Sequence, residues 1–237
     1  MDYLERYREG EHERVWSELR ALGPAVRQEP HHSPAREVAA ETMRRVRRNC
    51  ELIVARLGSL GYVFGTYPDG SAGYYTEGPL VPPSDATRAD LSSLEEQVGP
   101  LPLSLTAFWE EVGSVDLVGM HPSWGENLDP LVVYPPEAAL SDFEMEGGEE
   151  EIAAAGRFVA ALAPDELHKD NVSGGAPYGV ALPDASADFL LQDERHGLLF
   201  VPYLRLAILR WGGLPGLDRR ATRFESLADL IAGLEAF

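Results

Sequence analysis

Three stretches of the chain gather residue types that could do chemistry, and each can be tested for the spacing that chemistry needs. His168-Lys169-Asp170-Asn171-Val172-Ser173-Gly174-Gly175 places a base, an acid and a hydroxyl within six positions. Triad members normally converge from distant parts of a chain, and Val172-Ser173-Gly174 lacks the preceding glycine of a nucleophile elbow. The expectation is a turn closed by local side-chain caps. Asp142-Phe143-Glu144-Met145-Glu146-Gly147 imitates the opening of a calcium loop. Glutamates replace the shorter ligands, however, and Ala153 stands at the twelfth position where a bidentate carboxylate is required. A solvated acidic loop or a partner-facing patch is the reading that remains. Cys50, the single cysteine, lies near Arg44, Arg45, Arg47 and Arg48, which would lower a thiol pKa, but it falls in an apolar stripe and points inward. His12, His31, His32, His121, His168 and His196 have neither metalloprotease nor zinc-finger spacing. No Walker sequence or strand-glycine-helix fingerprint occurs. No catalytic residue, no metal and no cofactor is therefore expected, and the chain does not read as an enzyme.

Charge supplies the next constraint. The formal net charge is −19, and its distribution is uneven. Residues 1–60 carry 11 Arg/Lys against 10 Asp/Glu, whereas residues 61–237 carry 9 against 29. Between Ala89 and Gly156 there are 15 acidic residues and no Lys or Arg. A field of one sign repels nucleic acid and anionic membrane and accelerates encounter with cationic partners; solubility or adaptation to high salt would produce the same composition. No stretch approaches the roughly 20 apolar residues needed to span a bilayer, and no secretory leader is evident. One cysteine cannot form an internal disulfide, so a reducing, cytoplasmic location is expected.

The elements that must position these residues follow from apolar spacing. Ser33-Pro34 has the form of a helix start, and Ala39, Met43, Val46, Cys50, Ile53, Leu57 and Leu60 then make one stripe of about six turns. Leu4, Tyr7, Val15, Trp16, Leu19 and Leu22 suggest one or two earlier helices, interrupted at Gly10 and stopped by Gly23-Pro24. Residues 1–64 are thus expected as an N-terminal helical hairpin, with Arg44, Arg45, Arg47 and Arg48 on its wet face. Residues 65–88, rich in Gly, Pro and Ser, read as a connecting segment that Tyr67, Tyr74 and Tyr75 hold against the surface. Beyond it, helices are predicted over Asp90 to Val98 and Pro102 to Val112, and strands over Val115 to Met120 and Leu131 to Tyr134. Further strands are predicted over Phe158 to Leu162, Tyr178 to Leu182 and Ala187 to Gln192. A helix over Leu199 to Trp211 and a last one capped by Ser226 complete an α+β domain, residues 89–237.

Within that domain Leu94-Glu95-Glu96-Gln97-Val98-Gly99-Pro100-Leu101-Pro102-Leu103-Ser104-Leu105, followed by Phe108-Trp109-Glu110-Glu111-Val112-Gly113, resembles the SUKH superfamily. Asp129-Pro130-Leu131-Val132-Val133-Tyr134 is similar to the strand that follows, so the resemblance covers about residues 89–140. The chain departs from the pattern in having Ser114-Val115 after Gly113 and in its N-terminal extension. The resemblance implies a SUKH-like core, a mostly antiparallel sheet flanked by helices. It also implies a binding role known among bacterial toxin-immunity proteins and fungal regulators of cell-wall synthesis, with no enzyme activity.

The leading expectation is a non-enzymatic module that neutralises a basic toxin through Asp142, Glu144, Glu146, Glu149, Glu150 and Glu151. Trp124 and Phe143 are either apolar anchors for that partner or ordinary core residues. The alternative is an intracellular scaffold or regulator that binds a protein partner through the N-terminal helices. Neither nucleic acid nor membrane is expected as a partner, and the sequence leaves the oligomeric state open.

Overall fold

The computed structural model describes residues 2–73, 78–220 and 224–237, and among them the chain is an α+β fold of nine α-helices and seven short strands. Helices α1 (Tyr3–Arg8) and α2 (His12–Ala21) are separated at Gly10, and a 3-10 turn over Gly23–Arg27 leads towards α3 (His32–Ser59). The apolar stripe of α3 is buried from Ala39 to Leu57, with Leu60 partly covered just beyond the helix. The start of α3 differs from expectation. The Ser33 hydroxyl donates to the Glu29 carboxylate rather than capping, and the helix has already begun at His32. Pro34 is still tolerated because first-turn N–H groups have no helical partner. Of the four arginines, Arg44, Arg47 and Arg48 stay partly exposed. Arg45 turns inward between the Glu41 carboxylate, the His12 ring and the Ala236 carbonyl.

Every strand pairing is antiparallel. β1 (Val63–Phe64) pairs with β4 (Gly119–Met120), and β3 (Ser114–Asp116) lies between β2 (Leu80–Val81) and β5 (Val132–Val133). β6 (Phe158–Ala163) and β7 (Tyr178–Leu182) make the longest ladder, with an irregularity between Ala161 and Ala163. The strand expected over Val115 to Met120 is broken in two. The Asp116 carboxylate accepts the Val118 N–H at 2.9 Å and the Tyr62 hydroxyl donates to the Leu117 carbonyl at 2.9 Å, which bends the chain between the halves. The strand expected over Ala187 to Gln192 is absent apart from single bridges at Leu190 and Gln192. Side chains there do the work of a ladder: Ser186 donates to the Asp188 carbonyl, and the Asp188 carboxylate accepts from Ser104 and from the Val201 N–H.

The helices around the sheets explain the boundaries. α4 (Asp85–Val98) starts ahead of the expected Asp90 because Ser84 and Thr87 cap one another reciprocally. α5 (Leu103–Glu111) stops before Gly113, whose φ is 88° and where any side chain would collide with the backbone of Val81 and Pro82. The run read as an acidic loop is instead two helices, α6 (Pro136–Met145) and α7 (Gly148–Ala155), joined at the left-handed Gly147. α8 (Phe200–Arg205) continues into a π-helical turn over Leu206–Arg210. Before α9 (Leu227–Ile231), Ser226 is itself helical and makes no side-chain cap. Tyr67 is buried as expected of the connecting segment, while Tyr74 and Tyr75 lie outside the described residues. One apolar core runs from Tyr7 on α1 to Phe237, with α3 packed on α5, α4 on α6 and α6 on β6.

Candidate functional site

Two regions concentrate polar chemistry. The first is the α6–α7 corner. Pro135-Pro136 starts α6, and Phe143 on its inner side lies edge-on to Phe158 of β6, with ring centroids 5.4 Å apart. Gly148 lets α7 fold back, since a side chain there would overlap the Phe143 ring. This packing turns Glu144, Glu146, Glu149, Glu150 and Glu151 outward, and among the described residues none of them has an ion pair. Three of the five sit in the first turn of α7, where the unsatisfied N–H groups favour negative charge. Asp142 is only partly exposed. Burial pushes its carboxyl above the usual carboxylate range and Glu146 adds to that, while the Ala161 N–H opposes it.

The basic residues of the first sixty do not neutralise this corner. Arg6 is held by Glu11 and Glu18, Arg20 by Glu13, Arg44 by Glu41 and Glu111, and Arg48 by Glu235. The two aromatic anchors are placed differently from the glutamates. Phe143 is 7% exposed, and Trp124 is 9% exposed, stacked on His121 at 4.3 Å and edge-on to Phe224 at 4.8 Å. Both are core residues, which removes them as ready-made contacts for a partner. They were candidates because an aromatic beside acidic residues reads the same way whether it packs inward or outward.

The second region is a cleft of about 820 Å³ between β3, β6, the 65–73 turn and the 164–177 segment. Strand alternation sends Val115 into the core and Asp116 to the opposite face, where it lines the cleft. Lys169 lies alongside, its side chain fully buried and its ammonium 2.6 Å from the buried Asp129 carboxylate. The Tyr178 hydroxyl donates to the same carboxylate at 3.3 Å, and the ammonium sits 4.5 Å from the centre of the Tyr178 ring. Asp129 adopts φ 46°, a left-handed conformation that this pair of contacts holds in place.

The residues that mimic a triad lie on or beside this cleft but do not assemble one. His168 Nδ1 is bonded to Asp165, not to Asp170, and the Asp165 carboxylate also accepts the Leu167 N–H at 2.8 Å. Asp170 accepts the Asn127 N–H at 2.6 Å, and Ser173 is exposed at the rim. Among the described residues no hydrogen bond joins any two of His168, Asp170 and Ser173. The imitation of a calcium loop also dissolves, because its positions belong to two helices and the turn between them.

Sequence reasoning missed Asp116, Asp129 and Lys169 as neighbours, since they come from three separate segments. One signal was present: Lys169 is the only lysine in a chain whose other basic residues, histidine apart, are all arginine. No family model, curated protein or solved structure matches this chain.

Proposed function

We propose that the chain is a non-enzymatic protein-binding module of the immunity type, which occupies a basic partner such as a toxin through the α6–α7 face. The observation that carries this reading is the set of five outward glutamates that have no ion pair among the described residues, while the N-terminal arginines are engaged elsewhere. A cluster of uncompensated carboxylates raises the local potential and speeds encounter with positive charge, although each rim charge adds little to the final affinity. The SUKH resemblance over about residues 89–140 supports the same class. Cys50, buried and without a disulfide partner, suits a cytoplasmic setting. Among the described residues no helix is long and apolar enough to cross a membrane.

The alternative is an intracellular scaffold or regulator that binds a protein partner through the N-terminal helices; since the apolar stripe of α3 is covered by the chain's own helices, such a partner would meet their polar outer faces. The test is to recover stoichiometric companions from the native cell and measure association as ionic strength rises. The expected partner is basic, and its on-rate falls steeply with salt while its off-rate changes little. Replacing Glu149, Glu150 and Glu151 with lysine should slow association by about tenfold or more. An unchanged on-rate in that variant refutes the reading.

A further inference from the structure

Two carboxylates near Lys169, Asp116 in the wall of the cleft and Asp129 buried behind it, are compensated to very different degrees. Asp129 is matched by Lys169 at 2.6 Å and by the Tyr178 hydroxyl, so its negative charge is answered within the protein. Asp116 is also largely withdrawn from water, yet its single hydrogen bond among the described residues comes from the Val118 N–H, and no ion pair reaches it. The only nearby ammonium, Lys169, is already committed to Asp129. Taking a carboxylate out of water is unfavourable unless a cation or several donors replace the lost hydration. Burial accordingly pushes the Asp116 carboxyl above its ordinary range, and the Val118 N–H and Lys169 pull it back only in part.

The surroundings of Asp116 have a consistent chemistry. Tyr67 and Tyr134 line the cleft beside it, and Ala161 and Val118 supply apolar wall. Asn171, which lines the cleft, donates to Asp69, a carboxylate without a paired cation among the described residues. No arginine lines the cleft among the described residues, and its His168 is spent on Asp165. A volume of about 820 Å³ lies within the range of small-ligand sites. Of the two carboxylates that line the cleft, Asp165 is bonded to His168 and Asp116 is left under-solvated beside the apolar Val118 and Ala161, an arrangement that matches an alkyl chain ending in a cationic head.

We propose that this cleft is a binding site for an alkylammonium or alkylguanidinium group, with the cationic head on Asp116 and the methylene stem against Val118 and Ala161. The same chemistry is carried by a free aliphatic amine and by a lysine or arginine side chain of a protein. The inference is independent of the α6–α7 face, since it concerns different residues.

The test is titration of the full chain with n-butylammonium chloride, with 1-butanol as the uncharged control and with the peptide acetyl-Gly-Lys-Gly-amide, followed by amide chemical shifts. Butylammonium should produce saturable shifts at Asp116, Val118 and Ala161, and butanol should bind at least about tenfold more weakly. Asp116→Asn keeps an acceptor for the Val118 N–H and should weaken butylammonium by about tenfold or more, while Glu96→Gln, exposed on α4, leaves it unchanged. Ala161→Phe fills the cleft without altering the carboxylate and should abolish the shifts, which covers the case in which Asp116→Asn fails to fold. Tighter binding of the peptide than of butylammonium assigns the cleft to a protein side chain, and the reverse assigns it to a free amine. Equal binding of butanol and butylammonium, unchanged binding in folded Asp116→Asn, or no saturable shift overturns the proposal. Because the cleft shares no residue with the α6–α7 face, failure here leaves the partner reading untouched.

Discussion

Asp188 has a side chain with no exposed surface, a Ser104 hydroxyl at 3.0 Å, a Val201 N–H at 3.2 Å and a guanidinium, that of Arg20, no closer than 3.8 Å. One of its oxygens has no hydrogen-bond partner, nor has the facing Arg20 Nη1. Burial outweighs these contacts and raises its pKa from the ordinary 3.8 to about 6. The folded state therefore holds this proton more tightly than the unfolded chain does. Stability from this group is fully present below about pH 4 and is lost as the pH rises through about 6, a difference of about 3 kcal/mol. Asp188→Asn retains an acceptor for Ser104 and Val201 but cannot ionise. Urea unfolding of wild type and variant at pH 4 and pH 7 should give a stability difference that shifts by about 2 kcal/mol in favour of the variant at the higher pH. An identical difference at the two pH values would mean that Asp188 is not held protonated in the fold.

Among the elements, α3 is the one that ties sequence-distant parts together, and Asn49 illustrates how. Its side chain is fully buried; its amide donates to the Glu235 carbonyl and accepts the Glu235 N–H, both at 2.8 Å. Asn49→Ala leaves both backbone groups without those partners and should cost about 1–3 kcal/mol, read from the urea midpoint with an unchanged denaturant slope. Much at this scale was legible in the sequence. The stripe from Ala39 to Leu60 gave α3, the Pro102 to Val112 run gave α5, and strands were expected over Phe158 to Leu162 and Tyr178 to Leu182. In each of these, burial on one face imposes a period that survives in the residue order. The failures have physical causes. α6 and α7 are short, rich in alanine and acid and interrupted by Gly147-Gly148, so no apolar period develops along them. The 187–192 segment has strand composition, but Asp184, Ser186 and Asp188 satisfy its backbone and neighbours locally, and those contacts depend on Ser104 and Val201 far away in sequence. For the sites, the acidic run was visible as a run and stayed together. The inward turn of Trp124 and Phe143 and the meeting of Asp116 with Lys169 depend on tertiary approach, which residue order does not encode.

For the whole molecule, the core links residues 1–64 to the α+β region: Ile53 of α3 approaches Gly213, and α3 lies along α5. The outer surface is divided by charge, with arginine–glutamate pairs over the first helices and, at the α6–α7 corner, glutamates that have no ion pair among the described residues. The burial of Lys169 has a consequence for that surface as a chemical reagent would meet it. Since this is the chain's only lysine, and its side chain has no accessible area, the folded exterior offers no ε-amine for acylation, crosslinking or ubiquitin transfer. An amine-directed ester should leave Lys169 unmodified in buffer and modify it fully in denaturant, as read by peptide mass mapping, so that acylation of this one residue becomes a gauge of how often the cleft floor opens.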